Sequence, residues 1–513
     1  MTDRLINPHY DSAGRPRLEM MPRESVGLAL ALVFLLGLVL RMLDLGGQGL
    51  WIDEILTLQQ GRVPGYTLWT QFIDDAQAAL PMLLATMMSR ISENETWLRL
   101  PSALLGALSI PIMFEVVRRF ASDRAAMIAA LLLALHPMHI DHSQEIRGYA
   151  FMLFFGLAAT LIVLDSGARP SLRQHVMLVL CGVAAGLSNQ QGLLWMGGLA
   201  LGVAVSGRVR LRDLLYWVVP FCLILFLLAP WWSTVFEVHD TTRLIPGGGT
   251  GGEQLRGNTT WSVWALPWAG FMLSFGRTLG PTIQQLHSGG VPATSVFILA
   301  GLAALVVTVL VVTGLRRLGR RSTEPLMWIV PVVVVAVLLA VRNVKPFNPR
   351  YVFAALPLLL LLVSVGLDSL RTSVARGLLV LWIGLTVVSL GNYYFDLDHR
   401  HVQVREAAAF IADRAGADDA VIAPTIQGVY EFYGDGGAAL VPLYAEDIAA
   451  DAAATIEERG QGQRYLWYLQ ARPWVHDPEG RLEAWLEGSF RRVSRTEFGG
   501  VVVTLYDRGD GRD

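Results

Sequence analysis

The chain has 513 residues, of which 53% are hydrophobic and 16% are charged, and its mean hydropathy is +0.45. Because a typical soluble domain carries about a quarter charged residues, this composition excludes a soluble enzyme and a disordered chain and favours a multi-span membrane protein. The net charge of −2 provides no basic surface for nucleic acid. Cys181 and Cys222 both fall inside apolar stretches, which excludes a disulfide scaffold.

The apolar stretches predict a bundle of membrane-spanning helices. A spanning helix needs about 20 largely apolar residues, and we identify eleven such stretches. They are residues 25–43, 97–117, 125–140, 149–164, 174–188, 190–206, 213–230, 292–314, 325–341, 350–368 and 374–391. Polar residues precede the first stretch and no small-residue cleavage site follows it, so we expect it to remain as a span.

The arginines predict the orientation of this bundle, because cytoplasmic loops are enriched in basic residues. If the N-terminus is cytoplasmic, all six basic segments lie on that side. These are Arg4/Arg15/Arg17/Arg23, Arg118/Arg119/Arg124, Arg169/Arg173, Arg208/Arg210/Arg212, Arg316/Arg317/Arg320/Arg321 and Arg371/Arg376. We therefore expect a cytoplasmic tail (1–24), a membrane domain (25–391) with long outer loops at 44–96 and 231–291, and an extracytoplasmic domain (392–513).

The second outer loop contains the glycine-rich run Pro246–Gly252 beside three tryptophans suited to the membrane interface, Trp261, Trp264 and Trp268. This loop is either a lid over a cavity or an interfacial loop without a gating role.

The last 120 or so residues alternate helical and strand patterns, which predicts a small α/β domain. The predicted helices are Val402–Ala415, Glu446–Glu458 and Arg481–Leu486, and the predicted strands are Ala420–Ala423, Tyr465–Leu469, Phe490–Arg495 and Gly500–Tyr506.

The first candidate site lies just beyond the first predicted span, in Leu50–Thr57. There Asp53 and Glu54 place two adjacent carboxylates between apolar residues at the predicted membrane surface. One interpretation is a helix start, with Asp53 as N-cap and Glu54 in the first turn, because the helix dipole favours both. The other is a carboxylate at the mouth of a cavity that accepts a proton or holds a cation.

The second candidate segment is 136–149, a connector between two predicted spans that is unusually rich in polar residues. Arg147 and Tyr149 open the next helix, whose N-terminal amides favour an anion. Three histidines recur at a spacing of three residues, which would suit a metal site on one side of a helix: His136, His139 and His142. Because Pro137 disrupts that geometry, we favour hydrogen-bonded histidines without a metal.

The third candidate segment is Arg342–Tyr351, again on the outer side and ahead of a span. Lys345 is the only lysine among 41 basic residues, which weakly indicates that an ammonium group is needed there. A chance position, or contact with lipid headgroups, would leave the same pattern.

Five short segments follow one another in a fixed order: Trp51–Glu54, Trp97–Ser102, Ser143–Tyr149, Phe275–Pro281, and Arg350–Tyr351 leading to Pro357. Together they resemble the bacterial branch of the protein O-mannosyltransferase family (glycosyltransferase family 39). This family belongs to the GT-C membrane glycosyltransferases, as do the lipid A aminoarabinose transferases. The resemblance covers nearly the whole predicted membrane region, and a soluble outer C-terminal domain is common in such proteins.

The resemblance implies a GT-C fold and an inverting enzyme of the bacterial cytoplasmic membrane. It would move a monosaccharide from a polyprenyl-phosphate donor to a hydroxyl of a lipid, glycan or protein acceptor at the outer face. Asp53 would be the general base, and Glu54 would orient the loop or hold a cation. The donor phosphate would be bound by Arg147, Tyr149, Lys345 and Arg350. No cofactor and no metal ligand is firmly implied, although a divalent cation is compatible with this chemistry.

The sequence departs from that family at one point. Members often have a His-Pro-Pro-Leu-like stretch after the acidic pair, where this chain has Ala78–Met82. The missing histidine leaves the acceptor side of the site open. Asp74 and Asp75 either compensate for it or are ordinary solvated loop charges, and we favour the second.

Two other classes of function remain. A sugar or lipid transporter would place ionisable groups near the bilayer midplane, whereas here they collect at the outer face. Glu115 is the visible exception, and it can reach Arg118 and Arg119 at the inner face. A non-catalytic subunit of a surface-polysaccharide machine would tolerate the loss of Asp53, and the enzyme would not.

Overall fold

In the computed structural model, long apolar helices form a bundle that continues into a small mixed sheet. The structure describes residues 23–60, 79–207, 209–241, 265–282, 285, 294–341, 349–434, 437–443, 445–460, 462–477 and 479–509. The helices up to the end of the bundle are α1 (Arg23–Met42), α2 (Ile52–Gln60), α3 (Ala79–Ser89), α4 (Glu95–Arg118), α5 (Asp123–Leu135), α6 (Pro137–Ser143), α7 (Tyr149–Asp165), α8 (Leu172–Ser188), α9 (Gln190–Val205), α10 (Leu214–Thr241), α11 (Ala265–Phe275), α12 (Thr294–Leu318), α13 (Thr323–Val341), α14 (Leu356–Ser369) and α15 (Thr372–Phe395). Short 3-10 segments are Leu211–Asp213, Arg277–Leu279, Gly319–Ser322 and Pro349–Ala355.

The multi-span membrane class is confirmed. Within the described part of the chain, six helical stretches are long and apolar enough to cross a membrane: Glu24–Met42, Glu95–Arg118, Leu211–Trp231, Gly301–Val334, Arg350–Ser369 and Thr372–Phe395. A seventh results if α5 and α6 form one bent span. Four further apolar helices, α3, α7, α8 and α9, have 11 to 17 residues. The count of eleven spans therefore stays a prediction.

Two predicted spans differ from the structure in shape. The stretch 125–140 is broken between α5 and α6, whose axes differ by 56°. Pro137 is the reason, because a proline inside a helix lacks the N–H needed for the next hydrogen bond and is tolerated only at a helix start. The stretches 292–314 and 325–341 become α12 and α13, joined by the 3-10 turn at Gly319, where the backbone φ is 54°.

Small residues bring the membrane helices into close contact. A Cβ on Gly314 of α12 would lie 2.1 Å from the carbonyl oxygen of Leu362 in α14, and one on Gly366 of α14 would lie 2.2 Å from that of Leu310 in α12. The two backbones therefore touch reciprocally, which is the usual way that helices associate in lipid without a hydrophobic driving force. This contact lies toward the carboxyl end of α14, the end opposite to the one that Arg350 precedes.

The C-terminal region forms a five-stranded mixed sheet in the order β2-β1-β3-β5-β4. Its strands are β1 (Asp419–Ile422), β2 (Ala439–Leu440), β3 (Tyr465–Ala471), β4 (Arg491–Phe498) and β5 (Val501–Asp507), and its helices are α16 (Val404–Ala412), α17 (Gln427–Tyr433), α18 (Ala445–Arg459), α19 (Pro473–His476) and α20 (Arg481–Ser489). Strand β1 runs parallel to β2 and β3, whereas β5 runs antiparallel to β3 and β4. The small helix-and-strand region predicted from the sequence is thus present.

The sheet packs directly on the first outer loop. Leu50, Ile55 and Leu58 of that loop share one buried apolar cluster with Val421 and Trp467 of the sheet. The contact also has polar anchors. The backbone N–H of Leu50 donates to the Tyr433 hydroxyl (2.6 Å), and Arg405 donates to the carbonyls of Gly46 and Gly47 (3.1 and 2.8 Å). The C-terminal region is therefore held over α2, where the carboxylate pair lies.

Candidate active site

The two adjacent carboxylates of α2 point in different directions. Both lie in the first turn of this helix, which begins at Ile52, so Asp53 is inside the helix rather than at its N-cap as the helix-start interpretation expects. Glu54 is completely buried, whereas the side chain of Asp53 is 24% exposed. Neighbouring side chains on a helix do not face the same way, so each carboxylate has its own set of partners.

Glu54 is bound to Arg99 of α4 in a buried ion pair. The carboxylate accepts hydrogen bonds from Nε (2.9 Å) and Nη2 (2.7 Å) of this arginine. It also accepts the backbone N–H of Ile146 at 2.8 Å. Arg99 in turn donates to the carbonyls of Leu45, Gln48 and Gly49. Glu54 is therefore saturated by partners that join the first outer loop to α4 and to the connector before α7.

Asp53 lies between two arginines from the other two sequence-predicted segments. Its Oδ2 is 3.3 Å from Nη1 of Arg350 and 3.9 Å from Nη2 of Arg147. Arg147 also donates to the carbonyl oxygen of Asp53 and to Oγ1 of Thr57, both at 3.3 Å. The structure thus brings together three of the six residues selected from the sequence, although 94 and 297 positions separate the two arginines from Asp53.

Tyr149, the first residue of α7, is buried beside this group. Its ring stacks on His142 with 4.3 Å between ring centroids and meets Phe353 edge-on at 5.8 Å. Phe353 lies in the 3-10 segment that carries Arg350. The ring therefore packs the connector before α7 against the segment before α14, and so helps to position both arginines.

The three histidines of the connector are buried and each makes a hydrogen bond. Nε2 of His136 contacts the carbonyl of Leu273 (2.7 Å), Nδ1 of His139 contacts Arg41 (2.5 Å) and Nδ1 of His142 contacts Glu145 (3.2 Å). Arg41 is fully buried and also donates to the carbonyls of Leu133 and Ala134. It thereby adds hydrogen bonds to carbonyl groups at the end of α5, where the proline break removes the usual helical partner four residues on.

A different trio of residues could hold a cation. Ligand atoms of Asp141, Glu145 and His401 lie within 4.8 Å of one another, and they form the one such group among the described residues. Carboxylate oxygens and an imidazole suit a divalent metal, and Nδ1 of His401 is buried without a hydrogen-bond partner in the structure. Arg277 already binds Asp141 (3.1 Å). The donor set therefore fits a metal ion, with a guanidinium as its neighbour.

Two arginines of the site were not selected from the sequence. Arg99 and Arg277 lie inside Trp97–Ser102 and Phe275–Pro281, segments that carry the family resemblance. No local pattern distinguishes them from other arginines, because their partners are 45 and 136 positions away. Lys345, Asp74, Asp75 and the run 246–252 lie outside the described residues.

Two buried histidines of the C-terminal region predict how the stability of the protein depends on pH. Burial lowers the pKa of His401 to about 3 and that of His476 to about 4, from an ordinary 6.5. Both are neutral in the folded protein and take up protons below pH 6.5 once it unfolds. The free energy of unfolding is therefore unaffected by these two histidines above pH 6.5. It decreases as the pH falls below 6.5 toward their pKa values in the folded protein, about 4 for His476 and about 3 for His401. We expect the midpoint temperature of thermal unfolding to fall as the pH is lowered from 6.5 to 4.5.

His476→Gln is expected to reduce this fall, as measured by thermal unfolding of the detergent-solubilised protein. His175→Gln, at a partly exposed histidine of α8, serves as the control and should leave it unchanged. An equally steep fall in wild type and His476→Gln would contradict the role of this histidine.

The fold is that of known membrane glycosyltransferases. The crystal structure of ArnT from Cupriavidus metallidurans bound to undecaprenyl phosphate matches with a TM-score of 0.55 and 15% identity, over 94% of this chain and 98% of that one. The Archaeoglobus fulgidus oligosaccharyltransferase in its apo form matches with a TM-score of 0.53 and 13% identity, over 87% and 69%. The archaeal oligosaccharyltransferase AglB from Archaeoglobus fulgidus, in complex with an inhibitory peptide and a dolichol-phosphate, also has a TM-score of 0.53 and 13% identity, over 95% and 75%.

The sequence comparison points to the same class. No curated protein matches the chain. Residues 77–233 match the model of the family described as dolichyl-phosphate-mannose-protein mannosyltransferase, which confirms the resemblance inferred from the short segments. The matched part includes α3 to α9, and therefore Arg99, Arg147 and the polar connector. Over residues 77–233 the chain is thus similar to the dolichyl-phosphate-mannose-protein mannosyltransferase family, and as a whole it shares the fold of ArnT and of the archaeal oligosaccharyltransferase.

Proposed function

We propose that the protein transfers a monosaccharide from a polyprenyl-phosphate donor to an acceptor hydroxyl at the outer face of the bacterial cytoplasmic membrane. The observation that supports this reaction is the position of Asp53 between Arg147 and Arg350. Both arginines stand at the start of apolar helical segments. A lipid-borne phosphate would arrive at that level, because its polyprenyl tail lies in the bilayer.

The donor phosphate would be held by the guanidinium groups of Arg147 and Arg350, together with Lys345. Charge-assisted hydrogen bonds from such groups bind phosphate oxygens strongly. The carboxylate of Asp53 is their partner in the present structure. When the phosphate oxygens bind, they take over this role and leave the Asp53 carboxylate available to accept a proton.

The transfer itself would be a single in-line displacement. Asp53 takes the proton of the acceptor hydroxyl as its oxygen forms a bond to the anomeric carbon of the sugar. The bond between that carbon and the phosphate oxygen breaks, and its electron pair remains on the polyprenyl phosphate. The arginines stabilise the developing negative charge, so no acid is needed. The attack comes from the side opposite the phosphate, which inverts the anomeric configuration.

Glu54 would position this machinery without touching the substrate, since its ion pair with Arg99 and its bond to Ile146 orient the loop. If a divalent cation is used, Asp141, Glu145 and His401 would hold it. It would supply positive charge next to the phosphate.

The donor site can be tested with undecaprenyl phosphate as the probe. A charge-assisted hydrogen bond contributes roughly 1.5–3 kcal/mol, so we expect Arg350→Met to weaken binding to the full-length protein in detergent by about 10- to 150-fold. Lys345→Met should have a comparable effect, and Lys345→Arg should recover only part of it, because a planar fork does not replace a compact ammonium group.

Arg376→Met, in the first turns of α15 on the predicted cytoplasmic side, provides the control for these measurements. Equal affinity in wild type, Arg350→Met and Lys345→Met would rule out the phosphate assignment.

The proposed topology has eleven spans, a cytoplasmic N-terminus and the domain boundaries 1–24, 25–391 and 392–513. Tags inserted at Thr250 and at the C-terminus should be accessible from outside in intact cells, and a tag at Gly319 should be protected. Accessibility at residue 319 together with protection at residue 250 would reverse the orientation and place the site on the cytoplasmic side.

The sugar and the acceptor can be identified by mass spectrometry of cell-envelope glycans with and without the gene. Loss of one glycan modification, restored by wild-type protein and not by Asp53→Asn, is the result expected of a transferase. The two alternatives, a polyprenyl-linked sugar transporter and a non-catalytic subunit of a surface-polysaccharide machine, would be indicated if Asp53→Asn restored it fully.

A further inference from the structure

Two residues with strained backbones lie at neighbouring strand ends of the C-terminal sheet. Strands β1 and β3 run parallel, with Ile422 opposite Tyr468. Beyond the carboxyl end of β1, Thr425 has a φ of 71°, and directly after β3, Arg472 has a φ of 52°. Residues other than glycine avoid this left-handed region, and a residue before a proline, as Arg472 is, normally has an extended backbone.

A series of hydrogen bonds between buried side chains holds this strained edge of the sheet in place. Nδ1 of His476 contacts Oγ1 of Thr425 (2.9 Å), and its Nε2 contacts the Tyr468 hydroxyl (3.2 Å). His476 is 4% exposed and ends α19, the helix that begins just after Arg472. Strain that the surroundings maintain in this way is typical of functional sites. Ligands of parallel α/β sheets also bind at the carboxyl ends of their strands.

This edge of the sheet faces the transfer site. Ala471, the residue before Arg472, lies in the same buried apolar cluster as Ile55 of α2 and Ile146 of the connector before α7, which are close in sequence to Asp53 and Arg147. Burial lowers the pKa of Arg472, Asp53 raises it, and Arg277 and Arg350 lower it, which agrees with a guanidinium at this place. The guanidinium of Arg472 makes no hydrogen bond or ion pair within the part of the chain that the structure describes.

The site has more cations than anions around this position. Four arginines are present: Arg147, Arg277, Arg350 and Arg472. Three carboxylates face them: Asp53, Asp141 and Glu145. Asp53 already has two arginine partners and Asp141 has Arg277. An unpaired guanidinium in a partly buried site is costly, and an anionic ligand would relieve that cost.

We propose that Arg472 is an oxyanion-binding residue of the transfer site, brought there by the strained carboxyl edge of the C-terminal sheet. This inference rests on the proposed function. The ligand is a phosphate or carboxylate group with one of two sources. It belongs either to the polyprenyl donor, whose phosphate leaves with the polyprenyl chain after transfer, or to an acidic group on the acceptor.

The test compares full-length variants in cells that lack the wild-type protein, with mass spectrometry of the envelope glycan as readout. Loss of a charge-assisted bond predicts that Arg472→Met and Arg472→Gly each lower the extent of transfer by about 10- to 150-fold. Arg472→Lys should recover part of it. Arg492→Met is the matched control, because Arg492 is a half-exposed arginine of β4, the strand at the far edge of the same sheet.

Arg472→Gly separates function from folding. Glycine adopts a positive φ without strain, so this variant should unfold at the same temperature as wild type or higher, while transfer falls. Wild-type transfer by Arg472→Gly would overturn the proposal. So would an Arg472→Lys variant that transfers no better than Arg472→Met, since the charge would then have no role.

Binding of undecaprenyl phosphate to the solubilised variants identifies the source of the oxyanion. Weaker binding by Arg472→Met indicates the donor phosphate, and unchanged binding with lost transfer indicates the acceptor. Arg350→Met in the same assay tests the proposed function separately. Unchanged binding by that variant would contradict the donor site, whatever Arg472 does.

Discussion

Replacing Asp53 with asparagine is expected to lower sugar transfer by at least about 100-fold, within the 10²–10⁴-fold range typical of general-base catalysis. Asparagine keeps the size of the side chain and can still accept a hydrogen bond from Arg350, but it cannot take the proton of the acceptor. The side chain is partly exposed and its ion pairs lie at 3.3 and 3.9 Å, so the variant should fold. The measurement is the initial rate of transfer at saturating donor, with thermal unfolding recorded for the same preparation.

Asp44→Asn provides the matched control for this prediction. It makes the same chemical change in the same outer loop, at an aspartate that pairs with Arg400 and is 39% exposed. Its φ of 54° suits asparagine, so transfer should stay near the wild-type rate. Near-normal transfer by folded Asp53→Asn protein would remove Asp53 from the mechanism and leave only its role in starting α2.

Replacing Glu54 with glutamine is expected to lower the stability of the protein rather than to slow the transfer reaction directly. It removes the charge that balances Arg99, and both side chains are almost completely buried, at 0% and 2% exposure. Removing one partner of such a pair typically lowers the free energy of unfolding by about 3–5 kcal/mol, because a buried charge is left unpaired. The expected result is a clear fall in the free energy of unfolding, or loss of folded protein from the membrane.

A double-variant comparison identifies the cause of that fall. Arg99→Met should destabilise the protein as Glu54→Gln does, and the two together should destabilise it by much less than the sum, because no unpaired charge remains. Glu115→Gln is the control, since its partners Arg118 and Arg119 are about one third exposed and such pairs contribute little. Wild-type stability of Glu54→Gln with transfer as low as in Asp53→Asn would instead show that Glu54 acts directly in the reaction.

Local patterns in the sequence were sufficient for the membrane class and for most of the long helices, but they did not predict the helices α3, α11 and α17 or the strand β2. Hydropathy over about 20 residues located the helices of the bundle, since burial of an apolar stretch in lipid depends on composition rather than on partners. Alternation of residue types located four of the five strands of the C-terminal sheet, and Asp53 and Glu54 lie in the first turn of a helix. The family resemblance added Arg147, Tyr149, Lys345 and Arg350 as a set.

The tertiary structure decided which side chain meets which. The sequence places Asp53 and Glu54 next to each other, but only the fold separates an accessible carboxylate between Arg147 and Arg350 from one buried against Arg99. Charge pairs form between residues up to 297 positions apart, and spacing along the chain carries no information about such contacts. The same holds for Arg472, which the sequence presents as one arginine among many. It reaches the site because the C-terminal sheet packs on the first outer loop through one shared apolar core, and that packing is a property of two surfaces rather than of any local pattern.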